Sequence, residues 1–412
     1  MSELTNEEKI KILSDIVAIK TVNDNEIEVA KYLKKLFDKY GIDSHIDKLS
    51  KTRANLIASI GFGKPVIGVS GHMDVVDEGN HDEWTYDPFT LTENDGYLYA
   101  RGAADMKSGL AALAISLIEI KKSDRLKNGT IKFMATVGEE IEQAGSKQLY
   151  DKGYTKDLDA LVIAEPSYPS LVYSHKGSMD FKITSMGKSS HSSVPFLGKN
   201  AITPLIAFIE TINSEYESLR KTIKSNSLDY SNMIDELEGQ LPNDISKEEA
   251  RDAIESLVIT NSVINGGKQV NSVADSAFAE FNVRTLPEYN NDKVKELFNK
   301  YINEANENGA NLSQEIYLDL LPVVTTGKNK LVELGIKKAQ EHFKDEKAFI
   351  TCPTTAVTDA SNLLRDKDEN FPFLMFGPGQ DPHQVNECVD KNNYLEFIDY
   401  YIDLLISFAS EY

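Results

Sequence analysis

Four apolar runs limit what this chain can fold into more than any other feature. They are Pro65-Val-Ile-Gly-Val-Ser70, Thr130-Ile-Lys-Phe-Met-Ala-Thr-Val137, Ala160-Leu-Val-Ile-Ala164 and Phe371-Pro-Phe-Leu-Met-Phe376. Strands covered on both faces read as continuous apolar runs, and helical stretches such as 110–120 separate these four, so they are expected to form a largely parallel sheet. Each run leads into groups that bind metals or move protons: His72 and Asp74, then Glu139 and Glu140, then Glu165, and, after a glycine-rich turn, His383. Parallel sheets place ligand sites outside the carboxyl ends of their strands. The expected fold class is therefore α/β, with its chemistry on one edge.

The stretch Arg101-Gly-Ala-Ala-Asp-Met-Lys-Ser-Gly109 supplies one more acid, Asp105. With its partners it reads as the ligand set of a two-metal hydrolase, in which one carboxylate touches both ions, and Asp105 is the candidate bridge. Imidazoles mixed with carboxylates suit zinc, cobalt or manganese, whereas an all-oxygen set would suit magnesium or calcium. Asp74 lies two residues after His72, so in extended geometry both side chains point the same way and Asp74 orients the imidazole rather than binding metal. Neighbouring residues at a strand end diverge. One of Glu139 and Glu140 can then bind metal while the other takes a proton from water.

Other readings of these residues are blander. A Glu-Glu pair alone is usually solvated surface, and Gly-His-x-Asp is too short to be specific; order and strand-end placement are what carry the argument. His45, His81 and His342 sit in polar surroundings and read as surface or capping histidines. Cys352 and Cys388 are the only cysteines, too few for a disulfide scaffold, and fit a reducing cytoplasm; Cys388 is close enough to His383 to be weighed as a soft ligand. A net charge of -21 argues against nucleic acid or an anionic membrane as partner. No segment approaches the roughly 18 apolar residues of a membrane span, and the start of the chain lacks the apolar core of an export signal.

A chain of 412 residues exceeds what one core usually supports. Thr5 and Glu8 read as a capping box before a helix through Val17; a second helix starts near Asn25 and stops at Gly41; residues 42–49 read as an edge strand. From about Met179 the pattern becomes short alternating strands (180–184, 257–263, 277–283, 314–318) interleaved with helices at 201–219 and 292–306. This predicts a small α+β insert with a polar surface excursion at 221–251. The expected organisation is a catalytic domain in two parts, 1–178 and 321–412, around an inserted domain, 179–320.

Taken together, Gly71-His-Met-Asp-Val-Val76, Trp84 to Pro88, Arg101 to Lys107, Gly138-Glu-Glu140, Ala164-Glu-Pro166, His191-Ser-Ser193 and His383-Gln-Val-Asn-Glu387 stand in a known order. Over nearly its whole length the chain resembles the co-catalytic zinc metallopeptidase family that contains succinyl-diaminopimelate desuccinylase, acetylornithine deacetylase, aminoacylase, glutamate-releasing carboxypeptidases and several dipeptidases. The resemblance implies two zinc ions per subunit, with cobalt or manganese as substitutes. His72, Asp105 and Glu165 would hold one, and Glu140, Asp105 and His383 the other. Glu139 would be the general base, Asp74 the buttress of His72, and the Asp105-Met106 peptide cis. The insert would be a ferredoxin-like lid and dimerisation domain of a homodimer, with His191 helping the partner's site to stabilise an oxyanion. Arg284 would bind the substrate carboxylate, and Asn271 and Gly379 fall in regions lining the substrate cleft.

Glutamate at position 165 is similar to the acyl-amino-acid branch, and the segments 174–178 and 264–273 are similar to the desuccinylase branch. The implied activity is removal of an N-acyl group from a small-molecule amino acid, first the succinyl amide of a diaminopimelate precursor in lysine and cell-wall synthesis. Acetylornithine-type deacetylation and a broader deacylase or dipeptidase activity are the alternatives. His175, Lys176, Val194 and Val270 depart from the best-known desuccinylase pattern at positions that touch substrate, Ser178 lying beside the first two. A two-metal phosphatase or nuclease lacks its phosphate loop here. A non-catalytic binding protein on the same scaffold would have no need of Glu139.

Overall fold

A computed structural model of the chain describes residues 3–237, 241–242, 244–344, 349–379 and 382–412. They form two compact units: Met1–Ser174, Thr325–Cys352 and Thr358–Tyr412 in one, and His175–Val324 with Pro353–Val357 in the other.

In the first unit, Thr5 and Glu8 make the reciprocal capping bonds that open α1 (Asn6–Val17), whose Leu13, Ile16 and Val17 are buried. Helix α2 (Glu26–Lys39) buries Val29, Leu33 and Phe37. The edge strand β1 (Asp43–Lys48) pairs antiparallel with β2 (Ala54–Phe62). The four apolar runs become β3 (Val66–His72), β6 (Gly129–Thr136), β7 (Ala160–Pro166) and β14 (Phe373–Gly377). They are consecutive in the sheet, in the order β6-β3-β7-β14, and every pair among these neighbours is parallel. All four C-terminal ends therefore lie on one edge, with His72 level with Thr136 and Gly377 level with Pro166.

The flanks of this eight-stranded sheet are not parallel. Strand β2 joins β6 antiparallel, and β8 (Leu171–His175) joins β14 antiparallel, with β13 (Thr351–Thr354) beyond it. Two three-residue strands, β4 (Thr92–Asn94) and β5 (Tyr97–Tyr99), form a separate small sheet with β15 (Cys388–Asp390).

Helix α3 (Lys107–Ser123) is buried on almost every face, as its Leu110-Ala-Ala-Leu-Ala-Ile sequence demands. A helix apolar all round must lie inside. It packs on β3, β6 and β7 and against α1 and α11 (Lys391–Glu411). Helix α9 (Lys330–His342) packs on α11 and β14, and the short α4 (Ala144–Asp151) on α10 (Ala360–Leu363). Burying each Leu, Ile or Phe in such a core stabilises it by roughly 1.5–3 kcal/mol.

The second unit runs β9 (Gly177–Met186), α5 (Ile202–Thr222), α6 (Ser231–Leu237), α7 (Lys247–Glu255), β10 (Val258–Gly266), β11 (Ser276–Thr285), α8 (Asn291–Glu307) and β12 (Leu312–Leu320). Its sheet is antiparallel in the order β10-β11-β9-β12, the ferredoxin-like βαββαβ succession with two added helices. Burial alternates along β11, and Phe181 of β9 stacks on Phe298 of α8 with ring centroids 4.4 Å apart. The segment 221–251 is not all surface. Leu228, Tyr230 and Ile234 are buried in the core of this unit, and residues 238–240 and 243 lie outside the described residues. Among the described residues no helix is long and apolar enough to cross a membrane.

Candidate metal centre

Each strand end on the shared edge delivers its side chain to one place. His72 is the last residue of β3 and Glu165 the sixth of β7, while Glu139 and Glu140 stand on the turn after β6. Asp105 arrives from the loop ahead of α3, through a cis peptide to Met106. His383 comes from the segment beyond β14, with φ at 67°.

The two oxygens of Asp105 face different imidazoles. Oδ1 lies 2.9 Å from His72 Nε2 and Oδ2 lies 3.4 Å from His383 Nε2. His72 Nε2 also faces Glu165 Oε1 at 3.6 Å, and His383 Nε2 faces Glu140 Oε2 at 3.1 Å. Two donors bound about 2.1 Å from one zinc ion in tetrahedral geometry are separated by roughly 3.4 Å, so these spacings fit ligands of shared cations. Donor groups lying within 4.8 Å of one another are His72, Asp105 and Glu140, and His72, Glu139 and Glu165. Among the described residues neither group includes a cysteine, and Cys388 instead pairs with Tyr99 across β15 and β5.

Protonation points the same way. His72 Nδ1 donates to the Asp74 carbonyl at 3.0 Å, so in the neutral ring Nε2 is a lone pair turned towards two carboxylates, an arrangement that calls for a cation. In the chain without metal, protons take that role. Hydrogen bonds to Asp105 and Glu140 push His383 up to about 10. Burial would raise Asp105, but hydrogen bonds from His383 and His72 hold it well below the usual carboxylate range. Burial raises Glu165 to about 8, and it raises Glu139 well above its ordinary value with the Glu165 charge adding to it. Asp359, buried beside them, is raised to about 6 by burial. A buried surplus of carboxylates over imidazoles is the chemistry that divalent cations balance.

Asp74 does something other than orient the ring through its carboxylate. Its Oδ1 is 3.8 Å from His72 Nδ1. Instead the carboxylate accepts the backbone N–H groups of Gly138 at 2.8 Å, Glu139 at 3.3 Å and Glu140 at 3.2 Å. The Asp74 main chain fixes the tautomer of His72, and its side chain fixes the Glu139–Glu140 turn.

Sequence reasoning gave no role to several residues that act here. Gln143 donates to Glu139 Oε1 at 2.8 Å, and the Thr136 hydroxyl donates to Asp359 Oδ2 at 2.5 Å. Glu387 accepts from the backbone around Asp105. Glu387 and Arg101 stand within sequence motifs, whereas Gln143 and Asp359 carry no local signal. Gly379, at φ 104°, packs on the same loop: a Cβ there would come within 2.6 Å of Ala104 Cα.

The remaining candidates lie in the second unit. His191 is exposed, and its Nδ1 accepts the Ser193 N–H at 3.2 Å, so the ring N–H of the neutral form is at Nε2. Asn271 is its neighbour, its carbonyl accepting the Ser192 N–H at 3.0 Å. Ser178 lies opposite Arg284 across β9 and β11, and its hydroxyl is buried without a hydrogen-bond partner among the described residues. His175 and Lys176 are 0% and 1% exposed. His175 Nδ1 donates to the Lys176 carbonyl at 2.7 Å and Lys176 Nζ to the Ser256 carbonyl at 2.7 Å. Burial holds His175 down to about 4, hence neutral, and lowers Lys176 to about 8. Both side chains are buried and hydrogen-bonded within their own unit in the chain without substrate.

Comparison with known proteins agrees with this architecture. The sequence profile of peptidase family M20/M25/M40 matches residues 68–407. The chain is 46% identical, over 100% of both chains, to the probable succinyl-diaminopimelate desuccinylase of Staphylococcus aureus (strain MRSA252). Its fold is that of an M20 family metallo-carboxypeptidase from Sulfolobus solfataricus, with TM-score 0.78 and 22% identity over 97% of this chain and 98% of that one. It is also that of a Bacillus subtilis protein described as a dinuclear metal-binding peptidase of the M20 family, with TM-score 0.66 and 16% identity over 98% of each. The chain belongs to peptidase family M20/M25/M40 and is a hydrolase of that family.

Proposed function

We propose that the chain hydrolyses the amide bond of an N-acyl amino acid and that its substrate is N-succinyl-diaminopimelate. The observation that carries the hydrolytic reading is the sharing of Asp105 between His72 and His383, with Glu139 held alongside by Gln143. The substrate is inferred from full-length likeness to the staphylococcal protein. Zinc is the metal that best suits two imidazoles among carboxylates, with cobalt or manganese as substitutes. His72, Asp105 and Glu165 would hold one ion, and Glu140, Asp105 and His383 the other. Bound there, the ions would polarise the scissile carbonyl and lower the pKa of water.

Glu139 then takes a proton from the water whose oxygen joins the acyl carbon. As the C–N bond breaks, it returns that proton to the leaving amine nitrogen, giving succinate and the free amino acid. His191 of the partner subunit would donate its Nε2 hydrogen to the oxyanion, which makes a homodimer through the second unit part of the proposal. Arg284 and Asn271 are the proposed substrate contacts. A cytoplasmic setting suits a chain whose two cysteines form no disulfide among the described residues.

The test is kcat/KM of the zinc-loaded protein on N-succinyl-diaminopimelate, N-acetylornithine, other N-acyl amino acids and dipeptides. The succinyl substrate should lead by at least roughly tenfold, a difference of about 1.4 kcal/mol in transition-state binding. A dipeptide or an acetylated substrate in first place would overturn the assignment.

A further inference from the structure

The segment that carries His383 belongs to no strand or helix, yet it must hold an imidazole against Asp105 and Glu140. Four residues on, the Glu387 carboxylate is buried among backbone donors of the opposite loop. Its Oε1 accepts the N–H groups of Gly102 at 3.1 Å, Ala104 at 2.8 Å and Asp105 at 2.8 Å. Its other oxygen takes the guanidinium of Arg101, itself 2% exposed, whose head lies over the Trp84 ring at 5.2 Å. The main chain repeats the tie. The Glu387 carbonyl accepts the Ala100 N–H at 3.0 Å, Asn386 Oδ1 accepts the Thr85 N–H at 2.8 Å, and β15 pairs with β5 immediately outside the two loops. Converging backbone N–H groups form a fixed anion site, here filled by a carboxylate from the chain itself.

We infer that Glu387 is a positioning residue that sets the separation of Asp105 from His383, and so builds the half of the metal centre that contains His383. The two halves are unequally supported. His72 and Glu165 stand on strands, and Asp105 also has the Lys107 N–H bonded to the Gly102 carbonyl at 2.9 Å to shape its loop. His383 is half exposed, and among the described residues its segment meets the Asp105 loop through the hydrogen bonds of Glu387 and through the packing of Gly379 on Ala104. Loss of the Glu387 carboxylate therefore loosens His383 first.

This inference rests on the reading of Asp105 and His383 as metal ligands, and the experiment separates the two. Zinc binding to the full chain is followed by chelator competition, with the melting temperature of the metal-free protein and kcat and KM at rising zinc. The unsubstituted chain should bind two ions; saturation at one or none would remove the two-metal reading and this inference with it. In Glu387→Gln the weaker of the two ions should bind roughly 10–100-fold less tightly, as changes to groups that hold metal ligands generally cause. The tighter ion should be retained, and excess zinc should restore kcat at unchanged KM.

Because Arg101 loses its counter-charge in that variant, the double variant Arg101→Gln, Glu387→Gln is measured beside it. It removes both charges and should fold, and it should show the same selective loss. A folded variant that binds both ions as tightly as the unsubstituted chain, or loses both equally, overturns the inference.

Discussion

Glu139 shows how much one carboxylate depends on its surroundings. Burial and the neighbouring Glu165 charge push its pKa up, the direction a general base needs if it is to hold a proton near neutrality. Gln143 holds one of its oxygens, and Asp74 grips the turn beneath it. Replacing Glu139 with Gln keeps the shape while removing the base. The expected result is a fall in kcat of about 10²–10⁴-fold with metal content unchanged by elemental analysis; a variant that stays active would remove Glu139 from this role. The pair Glu139–Glu140 was legible because it follows an apolar strand. Gln143 and Asp359 were not, and Glu387 stood in a motif that did not show its task, since their partners are set by tertiary pairing. Glu387 reaches a backbone N–H 282 residues away, and no local pattern marks a carboxylate for that task.

Several elements were legible from one periodicity running for five residues or more, whereas β2, α9 and α11 were not among those expected. The four central strands, α1 and the alternating strands of the second unit all have such patterns. Strands β4, β5 and β15 have three residues each, too short for any periodicity, yet they align the loops of Asp105 and His383. At the junction of β8 and β9 the sequence marks His175 and Lys176 as candidate substrate contacts, and the structure adds that both are buried and hydrogen-bonded.

That placement has a consequence in acid. The folded state holds the His175 pKa at about 4, against about 6.5 in an unfolded chain. Between these values the unfolded chain binds a proton that the folded chain refuses. The stability present above pH 6.5 therefore falls as pH drops towards 4, by up to about 3 kcal/mol. His175→Gln stays neutral throughout and can still donate to the Lys176 carbonyl. Denaturant midpoints taken from pH 7 to 4.5 should fall less steeply for this variant, with the two proteins alike at pH 7; parallel curves would contradict a buried, neutral His175.

All five proposed metal ligands, His72, Asp105, Glu140, Glu165 and His383, lie in the first compact unit, and none in His175–Val324. Burial raises Glu139, Glu140 and Glu165 in the metal-free chain, and the charges of neighbouring carboxylates add to it. Cations that bind the folded unit and not the unfolded chain stabilise it by mass action, about 2.7 kcal/mol per site at a free concentration one hundred times Kd. Calorimetry with and without a chelator should therefore show the first unit melting lower once metal is removed. The second unit has its own apolar core, centred on Phe181, Phe281 and Phe298, and its transition should stay in place. Fragment-specific hydrogen exchange through the melt assigns each transition to its unit. A chelator that moves neither transition would remove the metal reading. One that moves both equally would show that the units unfold as one, so that metal held by the first stabilises the whole chain.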